Sequence, residues 1–101
     1  MSRLERALIR VAGPDRISFL DNLLTQRVEG LEGVRYGALL TPQGKVIADT
    51  LIWSHGEAVI LETDPKFADA LLSKLSMYRL RANITLGAAA DLAVAFSVDP
   101  F

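Results

Sequence analysis

The chain has 101 residues, half of them apolar and 23% charged, with eleven Lys and Arg against twelve Asp and Glu. That balance fits one globular domain, argues against disorder, and supplies no global positive field of the kind that holds a phosphate backbone. The lack of cysteine excludes disulfides, thiolate zinc, iron–sulfur ligation and a thiol nucleophile from this chain's own residues, and a single histidine cannot build a histidine-rich metal site.

In chain order, Met1–Val11 carries charges at Arg3, Glu5, Arg6 and Arg10 where a secretory signal would be apolar. No segment approaches the roughly 20 apolar residues of a membrane span. The default expectation is the cytosol, with no membrane partner. Ala7–Val11 reads as a strand. Gly13-Pro14-Asp15 reads as a helix start, with proline at the first position and Asp15 on the positive end of the dipole; it lacks the glycines and Lys-Ser/Thr of a phosphate loop. Ile17, Leu20, Leu23 and Leu24 recur at helical spacing, and this helix is expected to fade by Arg27 or Val28.

A β-meander follows: Tyr36–Thr41, a turn at Pro42-Gln43-Gly44, Lys45–Trp53, a turn over Ser54–Glu57, and Ala58–Thr63. Asp64-Pro65 repeats the helix-start device, and Ala68, Leu71, Leu72 and Leu75 mark a second helix to about Tyr78. Two further strands are expected around Ala82–Leu86 and Leu92–Val98. The order β-α-β-β-β-α-β-β implies an α+β two-layer sandwich, a mostly antiparallel sheet with two helices on one face. Val98–Phe101 directly follows a strand rich in Ala and Val, so residues 1–101 read as one domain of a longer multi-domain protein; the alternative is an edge strand that finishes the domain.

One polar residue is out of pattern. Strand side chains alternate between faces, so Val46, Ala48, Thr50 and Ile52 are expected to meet the helices. Lys45, Ile47, Asp49, Leu51 and Trp53 then share the other face, an apolar stripe of the kind that marks a ligand or partner. Asp49 sits within it, and a carboxylate in apolar surroundings finds a donor or protonates. Two readings stand: a ligand-orienting acid, or an ordinary Asp on a wet face bonded to backbone N–H groups or to Arg35. The hairpin register decides whether Tyr36 joins it. A four-residue loop, Thr41–Gly44, sets Tyr36 opposite Asp49. A three-residue loop, which Pro-Gln-Gly favours, sets Gly37 there and turns Tyr36 away unless a bulge intervenes.

Other polar groups have ordinary explanations. His55 reads as a solvated turn residue without a catalytic partner. Lys74, Arg79 and Arg81, with Tyr78, cluster near the end of the second helix, where cations suit the dipole; an anion or nucleic-acid contact is the sharper alternative. No Ser/His/Asp arrangement is present.

The phrases RVAGPDRISFLDNLLTQRV, RYGALLTPQGKVIADTLIW and LLSKLSMYRLRANI occur in an order that resembles the N-terminal portion of the folate-binding YgfZ proteins, relatives of the glycine-cleavage T-protein (aminomethyltransferase). The resemblance covers nearly the whole chain and centres on Tyr36–Trp53. It implies that tetrahydrofolate or a derivative binds in a cavity built from more than one domain. It matches Asp49 to the carboxylate that engages the pterin, Tyr36 to an aromatic lining residue, and Leu51 and Trp53 to cavity-wall positions. It further implies an accessory role in assembly or repair of iron–sulfur enzymes and in tRNA modification, with folate, the remaining C-terminal domains, and iron–sulfur client enzymes or tRNA as partners. The alternative it carries is an aminomethyltransferase-like enzyme in which Asp49 assists transfer of a one-carbon unit to tetrahydrofolate. Whether this chain is catalytic is left open, leaning against. Two departures stand out: Gln26-Arg27 replaces the family's common Asn-Asp, and the cysteine-containing signature K-G-C-Y-x-G-Q-E is absent from this chain.

Overall fold

Residues 6–88 are described by the computed structural model. β1 (Ala7–Ala12) leads into α1 (Arg16–Leu23), and a loop brings the chain to β2 (Arg35–Leu40), β3 (Val46–His55) and β4 (Ala58–Thr63). α2 (Pro65–Arg79) and β5 (Thr85–Ala88) follow. The five strands form one antiparallel sheet in the order β2-β3-β4-β1-β5, so the N-terminal strand lies inside the sheet between β4 and β5. The expected strand at 92–98 lies outside the described residues.

Period-2 alternation selects one face of this sheet for the core. Ile9 and Val11 of β1, Leu39 of β2, Ala48 and Ile52 of β3, and Val59 and Leu61 of β4 cluster with Phe19 and Leu20 of α1, Leu24 just beyond it, and Leu71 and Leu75 from α2. Both helices therefore cover the same face, and the fold is the α+β sandwich its patterning implied. α2 starts as expected: the Asp64 side chain accepts from the Lys66 amide at 3.0 Å, with Pro65 at the first helical position. α1 is a turn shorter than its apolar spacing suggested. Leu24 becomes extended and bridges Leu39 of β2, which ends the helix.

The Gly13-Pro14-Asp15 turn does something other than cap its own helix. Asp15 makes no side-chain cap bond to α1. Instead its Oδ2 accepts from the Asn83 amide at 2.8 Å while its own amide donates to the Asn83 carbonyl at 3.3 Å. The turn is a clamp on the segment entering β5. That grip explains why β5 spans Thr85–Ala88 and not the expected Ala82–Leu86: the backbone at Asn83 is held by Asp15 before it reaches the sheet.

The outer edge of β2 is covered by the chain that leaves α1. Thr25 donates its amide to the Ala38 carbonyl at 3.0 Å, and the Ala38 amide donates to Thr25 Oγ1 at 2.9 Å. Arg35 reaches back to the carbonyls of Arg27 at 2.8 Å and Gly30 at 3.4 Å. At Ala38 the edge is thereby closed to pairing by another strand. Gln26 lies against Gly37, where an added Cβ would meet Gln26 Cβ at 3.0 Å.

Candidate functional site

The β2–β3 hairpin takes neither simple register. Its loop has three residues, with the Thr41 amide donating to the Lys45 carbonyl at 2.7 Å. A bulge then adds one residue on β3: Leu40 faces Val46 and Leu39 faces Ala48, leaving Ile47 without an opposite number. From there Ala38 faces Asp49 and Tyr36 faces Leu51. Tyr36 is thus diagonal to Asp49 on the same face, within reach of a long side chain. Its hydroxyl donates to Asp49 Oδ2 at 2.6 Å. Turn chemistry alone separated the pair; the bulge brings them together.

The same bulge corrects the expected faces of β3. Val46 leaves the core side and is 62% exposed, while Ile47 packs against the core. Ala48, Thr50 and Ile52 are buried under the helices as expected. Asp49, Leu51 and Trp53 are half-buried on the opposite face, with Tyr36 beside them. Arg35 engages backbone carbonyls of its own loop, and it is the Tyr36 hydroxyl that Asp49 holds.

The next hairpin extends this face. His55 pairs with Ala58 around a two-residue loop in which Gly56 takes φ +61°, a conformation glycine adopts freely. That register sets Glu62 opposite Leu51 and Ile60 opposite Trp53. β1 adds Leu8 opposite Glu62 and Arg10 opposite Ile60. Arg6 donates to Glu62 Oε2 at 3.1 Å. The face opposite α1 and α2 therefore carries, among the described residues, aromatic and aliphatic side chains of which Leu8 and Ile60 are buried, two carboxylates and two arginines. Glu62 was legible from the Gly56-Glu57 hairpin, had its register been followed outward. Arg6 and Arg10 were not, because nothing local pairs β1 with β4.

The remaining candidates lie elsewhere. His55 ends β3, exposed, with its ring edge-on to Trp53 at 6.3 Å between centroids. Arg79 and Arg81 are exposed and Lys74 half-buried at the end of α2, which covers the other face of the sheet. The structure does not bring them to the Asp49 group. Among the described residues no cluster of His, Cys, Asp and Glu is placed to hold a metal ion, and no helix is long and apolar enough to cross a membrane.

Electrostatics at the pair run in one direction. The hydrogen bond to Asp49, then desolvation and the nearby carboxylate charge, push the Tyr36 phenol above its usual value of 10.0. A raised folded-state pKa means that the contribution of this contact is complete below the ordinary tyrosine value and is lost as pH climbs through the raised one. In a Tyr78→Phe background, alkaline titration should show the Tyr36 phenolate forming above the range of a free tyrosine. Asp49→Asn, which removes the charge, should bring that titration down.

No family model matches the chain. Curated relatives do. Over 80% of this chain and 22% of the relative, it is 33% identical to a protein of Pyricularia oryzae named iron-sulfur cluster assembly factor IBA57 homolog, mitochondrial. Iron-sulfur cluster assembly factor IBA57, mitochondrial, from Mus musculus is 32% identical over 88% of this chain and 29% of its own length. Among solved structures, the glycine cleavage system aminomethyltransferase T from Bartonella henselae superposes with a TM-score of 0.77 at 23% identity, covering 83% of this chain and 24% of the other. The chain thus spans between a fifth and a third of the length of these relatives. Their names correct one expectation. The cytosolic default rested on the lack of an apolar signal, but mitochondrial addresses are amphipathic and Arg-rich, so that lack said nothing about the mitochondrion, where these relatives are named as residing.

Proposed function

We propose that the chain is a YgfZ-type member of the glycine-cleavage T-protein superfamily and forms one wall of a tetrahydrofolate-binding accessory protein for iron–sulfur cluster assembly. The observation that carries the reading is the Tyr36–Asp49 pair on the sheet face opposite α1 and α2, flanked by Leu51 and Trp53. An ionised carboxylate is an acceptor only, so Asp49 is suited to the paired N–H donors of a pterin edge. Trp53, Leu51 and Tyr36 supply flat apolar surface for the ring. Ligand pockets bury most of what they bind. A single sheet face does not, so further domains of the same protein would close the cavity, and this chain alone would bind weakly.

The aminomethyltransferase alternative is the less supported one. Relatives above 30% identity are named as assembly factors, whereas the likeness to the aminomethyltransferase is one of fold. Iron–sulfur client enzymes and tRNA remain proposed partners of the whole protein. In the full-length gene product, Asp49→Ala should weaken tetrahydrofolate binding by at least about tenfold. That is the scale of losing a hydrogen bond to a charged acceptor, roughly 1.5–3 kcal/mol. Titration calorimetry returning the wild-type affinity for this variant would remove Asp49 from the site.

A further inference from the structure

We infer that Thr63 is a positioning residue for Asp49: its buried hydroxyl fixes the backbone on which the candidate carboxylate stands. The inference rests on the folate-site reading for its functional consequence, but its geometry is independent of any ligand. Both backbone polar groups of Ala38 are turned outward to Thr25. In an antiparallel pair, the residue opposite must then also point its backbone groups away. Asp49, which faces Ala38, therefore directs its carbonyl toward β4.

The ladder to β4 has already stopped at that level. Its last pair is Leu51 with Glu62, and beyond Thr63 the chain enters α2 through Asp64 and Pro65. A carbonyl left facing a buried gap carries a penalty of about 1–3 kcal/mol. Thr63 removes it by donating its Oγ1 hydrogen to the Asp49 carbonyl at 2.8 Å. The side chain is fully buried at 0% exposure, so water does not substitute. One residue along β3, Thr50 places its own hydroxyl 3.0 Å from the Glu62 carbonyl and 2.9 Å from that of Leu51. The two threonines bolt the fork where β3 and β4 part. Asp49 is set at its tip and Asp64, which caps α2, on the other prong. The bolt holds the β3 backbone at the height that lets Asp49 Oδ2 meet the Tyr36 hydroxyl at 2.6 Å.

A positioning role differs from a merely structural one in what it moves. Each variant is made in the Tyr78→Phe background and read by alkaline titration of the Tyr36 phenolate, with thermal melting recorded alongside. Thr63→Val keeps the shape and loses the hydroxyl; its Tyr36 titration should fall toward the ordinary tyrosine range. Thr63→Ser keeps the hydroxyl and loses a methyl; it should melt lower and titrate as the background does. Thr50→Val, equally buried but bonded to Glu62 and Leu51, should lower the melting temperature and leave the Tyr36 titration in place. An unmoved titration in folded Thr63→Val overturns the inference, and so does a lowered one in Thr63→Ser, the variant that decides the matter if Thr63→Val does not fold. In the full-length protein Thr63→Val should also bind tetrahydrofolate about tenfold more weakly, a loss of about 1.4 kcal/mol. Wild-type protein that binds no folate would end the functional reading, while the phenolate titration would still judge Thr63.

Discussion

Gly13→Ala is expected to be the most damaging single-methyl change in this protein, lowering stability by about 3 kcal/mol or more. Two independent obstacles meet at this residue. Its φ of +112° lies where a side chain is rarely tolerated. A Cβ built there would stand 2.5 Å from the Asn83 carbonyl oxygen and 2.8 Å from Ile84 Cα, both backbone atoms with no rotamer to yield. Relief requires separating the β1–α1 turn from the strand entry it clamps, which also breaks the Asp15–Asn83 bonds. Strain at a special backbone position is of the order of 1–3 kcal/mol alone, and the lost hydrogen bond adds about one more at most. Urea unfolding should show the midpoint falling sharply with little change in slope. Gly33→Ala is the matched control: it also has a positive φ, at +70°, but nothing lies within 4 Å of its added Cβ, so it should cost markedly less.

Leu20→Ala should follow closely, at about 2–5 kcal/mol, the range for emptying a well-packed leucine site. Leu20 is 0% exposed and sits in the common core with Ile9, Val11 and Leu61. The helix that carries it has eight residues and no side-chain cap. Helices of that length do not persist on propensity alone, so α1 exists because Phe19 and Leu20 are seated. Since a domain of this size holds only about 5–15 kcal/mol in total, the variant should sit near the edge of folding at physiological temperature. Leu23→Ala, which truncates a half-buried neighbour on the same helix, is expected to lose less than half as much by the same denaturant measurement.

The legible parts of this protein were those written in local code. Glycine-bearing breaks at Gly44 and Gly56 between β-rich runs give the meander. Pro65 behind Asp64 gives the start of α2, and the spacing of Leu71 and Leu75 gives its buried face. The alternation of Ala48, Thr50 and Ile52 against Asp49, Leu51 and Trp53 gave the two faces of β3. What escaped depended on partners distant in the chain or on a single inserted residue. The extra position at Ile47 exchanged the environments of Val46 and Ile47 and carried Tyr36 onto Asp49, an outcome that turn type alone argued against. Asp15 looks like a helix cap because capping chemistry and cross-segment clamping use the same side chain; only the arrival of Asn83 tells them apart. Thr63 looks like an ordinary β-former until the end of the β3–β4 ladder leaves the Asp49 carbonyl in need of a donor. The family wording supplied what periodicity could not, a chemical reason for Asp49, and the names of the relatives overturned the cytosolic expectation.

The place of β1 in the sheet has a consequence for how the molecule is made. Its residues Ala7–Ala12 pair on one side with Ala58–Thr63 and on the other with Thr85–Ala88. A ribosome emits β1 first, yet both of its neighbours emerge much later. Such long closures slow folding, and an unpaired apolar strand invites wrong contacts in the meantime. The β2–β4 meander, whose pairings are all between sequence neighbours, is the natural first product of synthesis. β1 must then wait, and Arg10 within it and Arg6 just before it supply the charge that keeps a waiting strand in solution.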